Sequence, residues 1–343
     1  MDLIRFQEIL EAVPASHWES HLDIGDFAGV ECLTTVTRTF SHVARCRVSG
    51  TRSRVMVYAK IYRKGLEDPQ NWSDEEMFHE QEKMSYWYEL FKGNETFGVV
   101  RPLGVIPELK MGLTQESQGK VLEELIANKL SLFPGRSAIR ELEEALFAVG
   151  QWLKYKDEVL TPVPGRYPME ELFEYVDLRL RLLVEEGAHG FDAARRREIM
   201  DFFRNNAAAI PPKHLGMVYT HSDFNPGNIL IDGKKVTVLD FGRKVEDSAL
   251  LDMVKLCHQI FLFGCKPAYR QIHLERLQKS LLAGYGTPGL YQETMFRFLF
   301  IRNILTHLLA SHRRRGKGGI HQRLYDSWVE RQEHFRLRGL LAG

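Results

Sequence analysis

The sequence predicts an α+β fold in two parts, residues 1–117 and residues 118–343. Strand patterns and one helix are concentrated in the first part, and helical periodicities dominate the second. The polar stretch Ser117-Gln118-Gly119 lies where one pattern gives way to the other. The length of 343 residues agrees with this division, because single domains commonly have roughly 100–200 residues. We therefore expect a small antiparallel β part with one helix, followed by a larger, mainly helical part.

The composition is that of an ordinary globular protein and excludes several classes. Hydrophobic residues make up 44% and charged residues 27% of the chain, which excludes long disorder, a collagen and a coiled-coil rod. The 46 basic and 45 acidic residues leave a net charge of +1, so no globally basic nucleic-acid binder is expected. The first residues and the hydropathy pattern predict neither a signal peptide nor a membrane span, and no CxxC pair occurs among the four cysteines. We therefore expect a cytoplasmic protein with reduced, mostly buried thiols.

The clearest strand pattern of the first part covers residues 55–62. The alternating aliphatic residues of this segment share one face: Val55, Val57, Ala59 and Ile61. Lys60 lies on the opposite face, in the middle of the strand. The pattern predicts a mid-strand lysine turned away from the aliphatic core, and taken alone it favours a lysine that simply extends to solvent.

Further elements complete the first part. A rough helical face near the N-terminus is interrupted by Pro14, and residues 33–39 are of β type. Ser73 followed by three acidic residues predicts a helix that continues to about Phe91. Two more strands are predicted at 99–106 and 111–116.

The second part is predicted to be helical except for one β island at 218–240. The predicted helices cover residues 139–153, 169–186, 193–206 and 248–263, with further helices to the C-terminus. Within the β island, Asp232-Gly233 separates two apolar segments and predicts a two-residue hairpin turn with positive φ at both residues. Ile231 would then pair with Lys234.

This hairpin would bring polar side chains together. With that register, Asp223, Asn228 and Asp240 lie within about three residues of one another, or roughly 10 Å along a strand. Mg²⁺ prefers a few hard oxygen ligands, which Asp240 and Asn228 can supply, and Asp223 would remain free to meet a substrate hydroxyl. The alternative is an ordinary surface turn, because Asp, Asn, Pro and Gly are also common turn residues.

The two motifs in this island carry a resemblance to a known family. His221-Ser222-Asp223, with Asn228 five residues later, and Leu239-Asp240-Phe241-Gly242 resemble the catalytic and metal loops of the protein-kinase-like superfamily. They are most similar to its small-molecule branch, the aminoglycoside phosphotransferase and choline kinase relatives, where the first motif typically reads His-Gly-Asp-x-x-x-x-Asn. The resemblance extends from about Thr34 to about Leu256.

The resemblance implies a fold and an activity. The fold would be a two-lobed protein-kinase-like fold, with 1–117 as the nucleotide-binding lobe and 118–343 carrying the catalytic loop, the metal loop and the acceptor site. The reaction would transfer the γ-phosphoryl group of ATP or GTP, with Mg²⁺, to a hydroxyl of a sugar, an aminoglycoside or an amino-alcohol. The partners would thus be a nucleotide and a small-molecule acceptor, and the oligomeric state stays open.

The resemblance also implies roles for the motif residues. Asp223 would orient the acceptor hydroxyl and take its proton, while Asn228 and Asp240 would hold Mg²⁺ against the phosphates. His221 and Gly242 would support the shapes of their loops, and a proton carrier is the alternative role for His221. These roles come from the likeness to the family, and the spacing of the residues alone does not assign them.

Other residues match the family outside the two motifs. Lys60 matches the strand lysine that binds the α- and β-phosphates. Glu80 is the preferred partner of that lysine, because its spacing to Met84 and Trp87 resembles the family's helix, and Glu82 is the alternative. Asp252 matches an acidic residue that usually begins a helix after the metal loop.

The remaining nucleotide contacts are expected at two places. The base would meet the backbone near Glu116 to Gln118. The phosphate loop at 39–46, where Ser41 is the candidate residue, departs from the family because it has no glycine. Its backbone N–H groups can still bind a phosphate.

Two other function classes compete with a small-molecule kinase. A protein kinase needs a platform for its peptide substrate, but only about six residues separate Gly242 from the next predicted helix and no Ala-Pro-Glu sequence occurs. A pseudokinase or nucleotide-binding scaffold usually lacks one of the expected site residues, whereas Lys60, Asp223, Asn228 and Asp240 are all present.

The charge of the acceptor is left open by two opposite signals. The helix at 169–186 has six acidic and two basic residues, a net charge of −4 that suits a cationic acceptor. The chain from residue 301 has nine basic and three acidic residues, a net charge of +6 that suits an anion. Both runs are also typical of solvated helix faces or basic loops, so neither identifies the acceptor.

Overall fold

The computed structural model describes residues 1–38, 41–62, 74–130, 133–241, 245–266, 268–314 and 319–342. The chain divides into two compact units. The first is Met1–Gly119 together with Thr237–Lys244, and the second is Lys120–Val236 together with Val245–Gly343. Assigning nucleotide binding to the N-terminal part and the acceptor to the C-terminal part remains a prediction.

The first unit is built on a five-stranded antiparallel sheet. Its elements are α1 (Leu3–Glu11), α2 (Ala15–His21), β1 (Phe27–Thr37), β2 (Ser41–Gly50), β3 (Arg54–Tyr62), α3 (Asp74–Phe91), β4 (Phe97–Val99), β5 (Pro102–Ile106) and β6 (Met111–Gln115). The strand order is β1-β2-β3-β6-β5, and each neighbouring pair is antiparallel. The segment that contains Asp240 belongs to this unit, where the N–H of Val100 donates to the carbonyl of Val238 at 3.0 Å.

One face of this sheet forms the core of the first unit. Val57 and Ala59 are fully buried there, together with Phe6 and Leu10 of α1. The alternation predicted for residues 55–62 is confirmed, because the aliphatic positions of β3 point into this core. Lys60 lies on the other face, as the period of two requires.

The second unit is mainly helical. Its elements are β7 (Lys120–Val121), α4 (Leu122–Lys129), α5 (Arg136–Val159), α6 (Met169–Glu185), α7 (Ala193–Asn206), β8 (Met217–Thr220), β9 (Ile229–Asp232), β10 (Lys235–Val238), β11 (Val245–Ser248), α8 (Leu251–Gly264), α9 (Gln271–Tyr285), α10 (Thr294–Arg314) and α11 (Ile320–Ala342). Strand β10 begins in this unit and its last two residues belong to the first. In the second unit β7 pairs with β9, and β11 with β8, both antiparallel.

The helix α5 shows why its sequence folds as predicted. Its apolar positions are buried at the expected spacing: Ile139, Leu142, Leu146, Val149 and Leu153. Helix α9 approaches it closely because each helix has a glycine at the contact. A Cβ on Gly150 would lie 2.1 Å from the carbonyl oxygen of Leu281, and one on Gly284 would lie 2.0 Å from that of Phe147. Any larger residue at either position would push the two helices apart.

Three local expectations need correction. Residues 41–46, expected within a phosphate loop, are part of strand β2, and residues 39 and 40 lie outside the described residues. The hairpin turn is displaced by one residue, because β9 extends to Asp232 and only Gly233, with φ 58°, has the left-handed conformation expected at both turn residues. Strand β11, which precedes α8, was not predicted.

Two expectations from composition can be compared with the structure. All four cysteines are free and buried, as expected: Cys32, Cys46, Cys257 and Cys265. Within the described ranges, no helix is long and apolar enough to cross a membrane.

Candidate functional site

In the first unit, Lys60 lies between two carboxylates. Its Nζ is 2.9 Å from Oε1 of Glu80 on α3 and 3.4 Å from Oδ1 of Asp240. Glu82, the alternative partner, is 77% exposed and lies 3.5 Å from His79 instead. The structure therefore pairs Lys60 with Glu80, one side chain from a strand and one from a helix.

The electrostatics of this group keep the lysine charged. Burial by itself would lower the pKa of Lys60, but the negative charges of Asp240 and Glu80 and their hydrogen bonds raise it above its usual value. Glu80 is almost fully buried and anchors the ammonium, whereas Asp240 is 52% exposed. A fixed cation beside an exposed carboxylate is suited to binding a metal–phosphate complex.

The backbone at Asp240 is unusual. Its φ is 59°, in the left-handed region that non-glycine residues rarely adopt. The next residue, Phe241, is buried against Trp87 of α3, with 4.9 Å between the ring centroids. This packing offers a physical reason for the motif's aromatic residue, because it anchors the chain directly after the strained aspartate. Gly242, predicted to support the loop, lies outside the described residues.

In the second unit, Asp223 lies in a loop, residues 221–228, that is stabilised by hydrogen bonds between its own residues. The main-chain N–H of Asp223 donates to Nδ1 of the buried His221 at 3.3 Å. Nδ2 of Asn228 donates to the main-chain carbonyl of Asp223 at 3.0 Å and to its Oδ2 at 3.3 Å. Phe224, fully buried, stacks on Trp152 at 5.4 Å between centroids and fixes the far side of the loop. The carboxylate of Asp223 itself is exposed.

A buried ion pair, Lys156 with Asp252, fixes the backbone of this loop, and we refer to this pair as the clamp. Asp252 accepts the main-chain N–H groups of His221 at 3.0 Å and of Ser222 at 3.1 Å. Its other partner is Lys156 of α5, whose Nζ lies 2.9 Å away, and both side chains of this pair have zero exposure. Lys255 of α8 also donates to the carbonyl of Ser222.

The charges within the clamp stabilise one another. Burial by itself would raise the pKa of Asp252, but the positive charge of Lys156, the nearby His221 and the hydrogen bonds that it accepts lower it below its usual value. The charged neighbours Asp157 and Asp252 likewise raise the pKa of Lys156 despite its burial. The family resemblance identified Asp252, but Lys156 was missed, because no motif of the sequence marks it.

Each of the two predicted metal ligands, taken by itself, offers an oxygen atom of the kind that Mg²⁺ binds. Asn228 uses Nδ2 for both of its hydrogen bonds to Asp223, so its Oδ1 is the atom that suits a metal. Asp240 offers an exposed carboxylate in the first unit. A carboxylate and an amide oxygen are hard ligands of the kind that Mg²⁺ accepts beside waters and phosphates.

The other residues predicted to contact the nucleotide, Glu116, Gln118 and Ser41, differ in exposure and in hydrogen bonding. The Glu116 carboxylate is bound to Arg45 at 2.7 and 3.0 Å, and the N–H of Glu116 donates to the carbonyl of Met56 at 2.9 Å. Gln118 is exposed, whereas Ser41 is buried and accepts the N–H of Arg38 at 2.7 Å through its carbonyl. A contact of the base with Glu116 would therefore use its carbonyl oxygen, since its N–H is already bonded.

Comparison of the sequence with models of protein families identifies one family. A family model described as "Phosphotransferase enzyme family" matches residues 119–294, just over half of the chain. No curated protein sequence matches the chain.

Similar solved structures include three kinases of small molecules. The first is a choline/ethanolamine kinase family protein from Mesorhizobium loti, with 14% identity, a TM-score of 0.56 and coverage of 99% of this chain and 95% of that one. The second is aminoglycoside 2′-phosphotransferase-IIIa in its GDP complex, with 13% identity, a TM-score of 0.56 and coverage of 98% and 100%. The third is a glucosamine kinase in complex with glucosamine, ADP and inorganic phosphate, with 12% identity, a TM-score of 0.52 and coverage of 97% and 99%. The predicted two-lobed protein-kinase-like fold is confirmed.

Proposed function

The chain belongs to the phosphotransferase enzyme family, and from this premise we propose that it transfers the γ-phosphoryl group of ATP or GTP to a hydroxyl of a small molecule. The observation that carries the proposal is the exposed carboxylate of Asp223 on a loop whose backbone is fixed by the buried Asp252. A group fixed in this way, but open to ligands, is what a reaction controlled by positioning requires.

Asp223 acts on the acceptor. Its carboxylate orients the acceptor hydroxyl and accepts the proton as the oxygen bonds to the γ-phosphorus and the bond from that phosphorus to the β,γ-bridging oxygen breaks. The nucleoside diphosphate leaves with the bridging oxygen. Asn228 keeps the carboxylate in place through its bond to Oδ2. Positioned acid–base assistance of this kind contributes roughly 10²–10⁴-fold in rate.

Lys60 and Asp240 act on the nucleotide. Lys60, anchored by Glu80, supplies a fixed positive charge to the phosphates. Asp240 and Asn228 are the residues that would hold Mg²⁺, which when bound neutralises negative charge on the β- and γ-phosphates. These roles agree with the exposed carboxylate at Asp240 and with the Oδ1 of Asn228, the side-chain atom that does not bond to Asp223.

We propose a sugar, an aminoglycoside or an amino-alcohol as the acceptor. The support comes from the names of the similar structures, which concern glucosamine, choline or ethanolamine, and an aminoglycoside. The acidic helix α6 adds less support than its charge suggests. Asp177 is already bound to Arg196 at 2.8 Å, and Glu186 next to the helix is bound to Arg313 at 3.0 Å.

The test is a nucleotide-consumption screen with the full chain, ATP or GTP and Mg²⁺ over sugars, aminoglycosides, amino-alcohols and nucleosides. We expect turnover with at least one acceptor class, and loss of at least 10²-fold in Asp223→Ala. Asp232→Asn is the matched control, because Asp232 is an exposed aspartate at the end of β9 that has no role in the proposed reaction. Its turnover should equal that of the wild type.

Nucleotide binding separates this proposal from its competitors. Calorimetry should show that Asp223→Ala still binds nucleotide, whereas Asp240→Ala loses the Mg²⁺-dependent part of the affinity. Nucleotide binding without turnover on any acceptor would instead identify a scaffold. Phosphorylation of a basic protein, or of the chain itself, seen by mass spectrometry would identify a protein kinase.

A further inference from the structure

A cluster of metal-ligating side chains lies in the second unit among residues that have no role in the proposed reaction. His189, Glu330 and His334 each offer one ligand atom, and these atoms all lie within 4.8 Å of one another. We propose that this cluster binds Zn²⁺ or a similar divalent transition-metal ion. The site would connect the segment between α6 and α7 to the C-terminal helix.

The placement of the three side chains follows from the local structure. Glu330 and His334 are four residues apart on α11, so they lie one above the other on one face of the helix. His189 comes from the short segment before α7. The next residue, Gly190, has φ 77°, and a Cβ there would lie 2.9 Å from Cε1 of His334. The glycine thus allows the backbone beside His189 to reach the imidazole of His334.

The donor set is that of a zinc site. Two imidazole nitrogens and one carboxylate oxygen leave a fourth tetrahedral position for water or another ligand. Nε2 of His334 is buried and has no hydrogen-bond partner among the described residues, so a donor atom is available at the cluster.

The distances require only a small adjustment. Zinc–nitrogen bonds of about 2.0–2.1 Å place tetrahedral donor atoms about 3.4 Å apart. Donor atoms now within 4.8 Å therefore need to approach by no more than about 1.4 Å. His189 is exposed and can supply this movement by a change of side-chain torsion.

A cavity of about 540 Å³ beside the cluster provides access. It is also lined by Arg195, Arg331 and Arg338, whose charges oppose a cation. Arg195 is bound to Glu198 at 2.6 Å, which reduces its share of this repulsion. We therefore expect weaker binding than at a closed four-ligand structural site, with an anion or a hydroxide favoured at the fourth position.

The experiment uses the full chain after removal of metals with a chelator. Zn²⁺ is titrated in competition with a chromophoric chelator, and Co²⁺ is titrated while its visible absorption is recorded. We expect one equivalent of Zn²⁺ per chain and intense Co²⁺ bands, which require direct ligation by the protein. His189→Ala, Glu330→Gln and His334→Ala should each weaken Zn²⁺ binding at least 10-fold.

His321→Ala is the matched control, because His321 is an exposed histidine on the same helix and outside the cluster. It should leave the affinity unchanged. His334 packs on Phe191, with 5.1 Å between the ring centroids, so its loss can disturb folding. His189 is exposed, so His189→Ala should not disturb folding, and the affinity of this variant decides the test.

Two results would overturn the proposal: no stoichiometric binding of Zn²⁺ to the wild type, or binding that is equally strong in His189→Ala. The readout is metal affinity and not turnover. Failure of the zinc site therefore leaves the proposed phosphotransfer untouched, and failure of the acceptor screen leaves the zinc site untouched.

Discussion

The two units each contain a lysine paired with a carboxylate at 2.9 Å, and the two pairs differ in burial. In the first unit, Lys60 pairs with Glu80 and is 30% exposed, with the 52% exposed Asp240 at its other side. In the second unit, Lys156 and Asp252 both have zero exposure. A lysine–carboxylate pair is thus accessible to a ligand at Lys60 and closed to ligands at Lys156.

The difference in burial corresponds to a difference in what the carboxylates can still bind. Asp252 already accepts two main-chain N–H groups in addition to Lys156, so its hydrogen-bonding capacity serves the loop of Asp223. Asp240 is exposed and keeps capacity for a metal or a phosphate-bound ion. The open pair is therefore suited to ligand binding and the buried pair to positioning. Variants of each pair can separate these two effects.

The largest expected effect on stability is that of Lys156→Met. This change leaves the fully buried Asp252 without its cation, and removing one partner of a buried ion pair costs about 3–5 kcal/mol. We expect the free energy of unfolding in urea to fall by this amount. Turnover should fall as well, because Asp252 fixes the backbone of the Asp223 loop.

Lys154→Met is the matched control on the same helix. Lys154 is 56% exposed and lies 3.9 Å from Glu158, so its loss should change stability by less than about 1 kcal/mol. An equal effect of both substitutions would show that burial does not distinguish the two kinds of pair.

The next largest effect is that of Lys60→Met on function. Loss of a fixed charge at the reacting phosphates should lower turnover about 10²–10³-fold and weaken nucleotide binding in calorimetry. The cost to stability should be smaller than at Lys156, because Lys60 is 30% exposed whereas Lys156 is fully buried. Lys92→Met, at a lysine 60% exposed beside Glu89, should leave both quantities unchanged. A variant of Lys60 that binds nucleotide normally would remove the lysine from its proposed role.

Another buried pair, His258 with Glu333, differs from Lys156–Asp252 because its basic partner is a histidine, whose ordinary pKa is about 6.5. Nε2 of His258 is 3.1 Å from Oε1 of Glu333, and both side chains are almost fully buried. Burial lowers the pKa of His258 below its usual value, and the attraction of Glu333 only partly opposes this, with His307 and Lys255 nearby. The unfolded chain therefore takes up a proton on this histidine at a higher pH than the folded chain does.

Stability should consequently fall as the pH drops from 7 through 6.5 toward the lower pKa of the folded state. The slope from one such group is at most about 1.4 kcal/mol per pH unit. Urea unfolding at several pH values between 7.5 and 5.5 measures it, and His258→Gln should flatten the curve. A curve of the same slope in this variant would assign the effect to other groups.

The sequence predicted the elements whose pattern is local. In β3 the alternation of residues 55–62 fixed both the core face and the position of Lys60, and in α5 the helical period identified the buried residues. The hairpin was predicted correctly as an element but not in its turn, because the pattern of apolar strands does not determine which residue of Asp232-Gly233 begins the reversal. Strand β11 has only four residues and no distinctive pattern, so its pairing with β8 was missed.

Interactions between distant residues could not be predicted in the same way. Lys156 lies in an amphipathic helix, where a lysine is normally expected at the surface. Its burial depends on Asp252, which is 96 residues away in sequence. The resemblance to a known family supplied Asp252 but not its partner, and it supplied Glu80 only after a choice against Glu82. The side-chain network that supports the site is therefore the part that only the structure gives.

The smallest expected effect on stability is that of Ser222→Gly. Ser222 lies in the loop whose backbone is bonded to the buried Asp252. Its φ is 63°, so a serine occupies a left-handed conformation where the related motif typically has glycine. The conformation costs a non-glycine residue about 1–2 kcal/mol, and a glycine costs about 0.5–1 kcal/mol in chain entropy. Ser222→Gly should therefore stabilise the chain by about 0.5–1 kcal/mol, measured by urea unfolding.

The contacts that hold this residue are made by its backbone, since its N–H donates to Asp252 and its carbonyl accepts from Lys255. Turnover of Ser222→Gly should accordingly stay within a few-fold of the wild type. Lys110→Gly tests the same relief of strain elsewhere, because Lys110 has φ 48° at the end of a short 3₁₀ turn in the first unit. Stabilisation at Lys110 but destabilisation at Ser222 would show that the hydroxyl of Ser222 supports the loop, and that the buried clamp alone does not fix it.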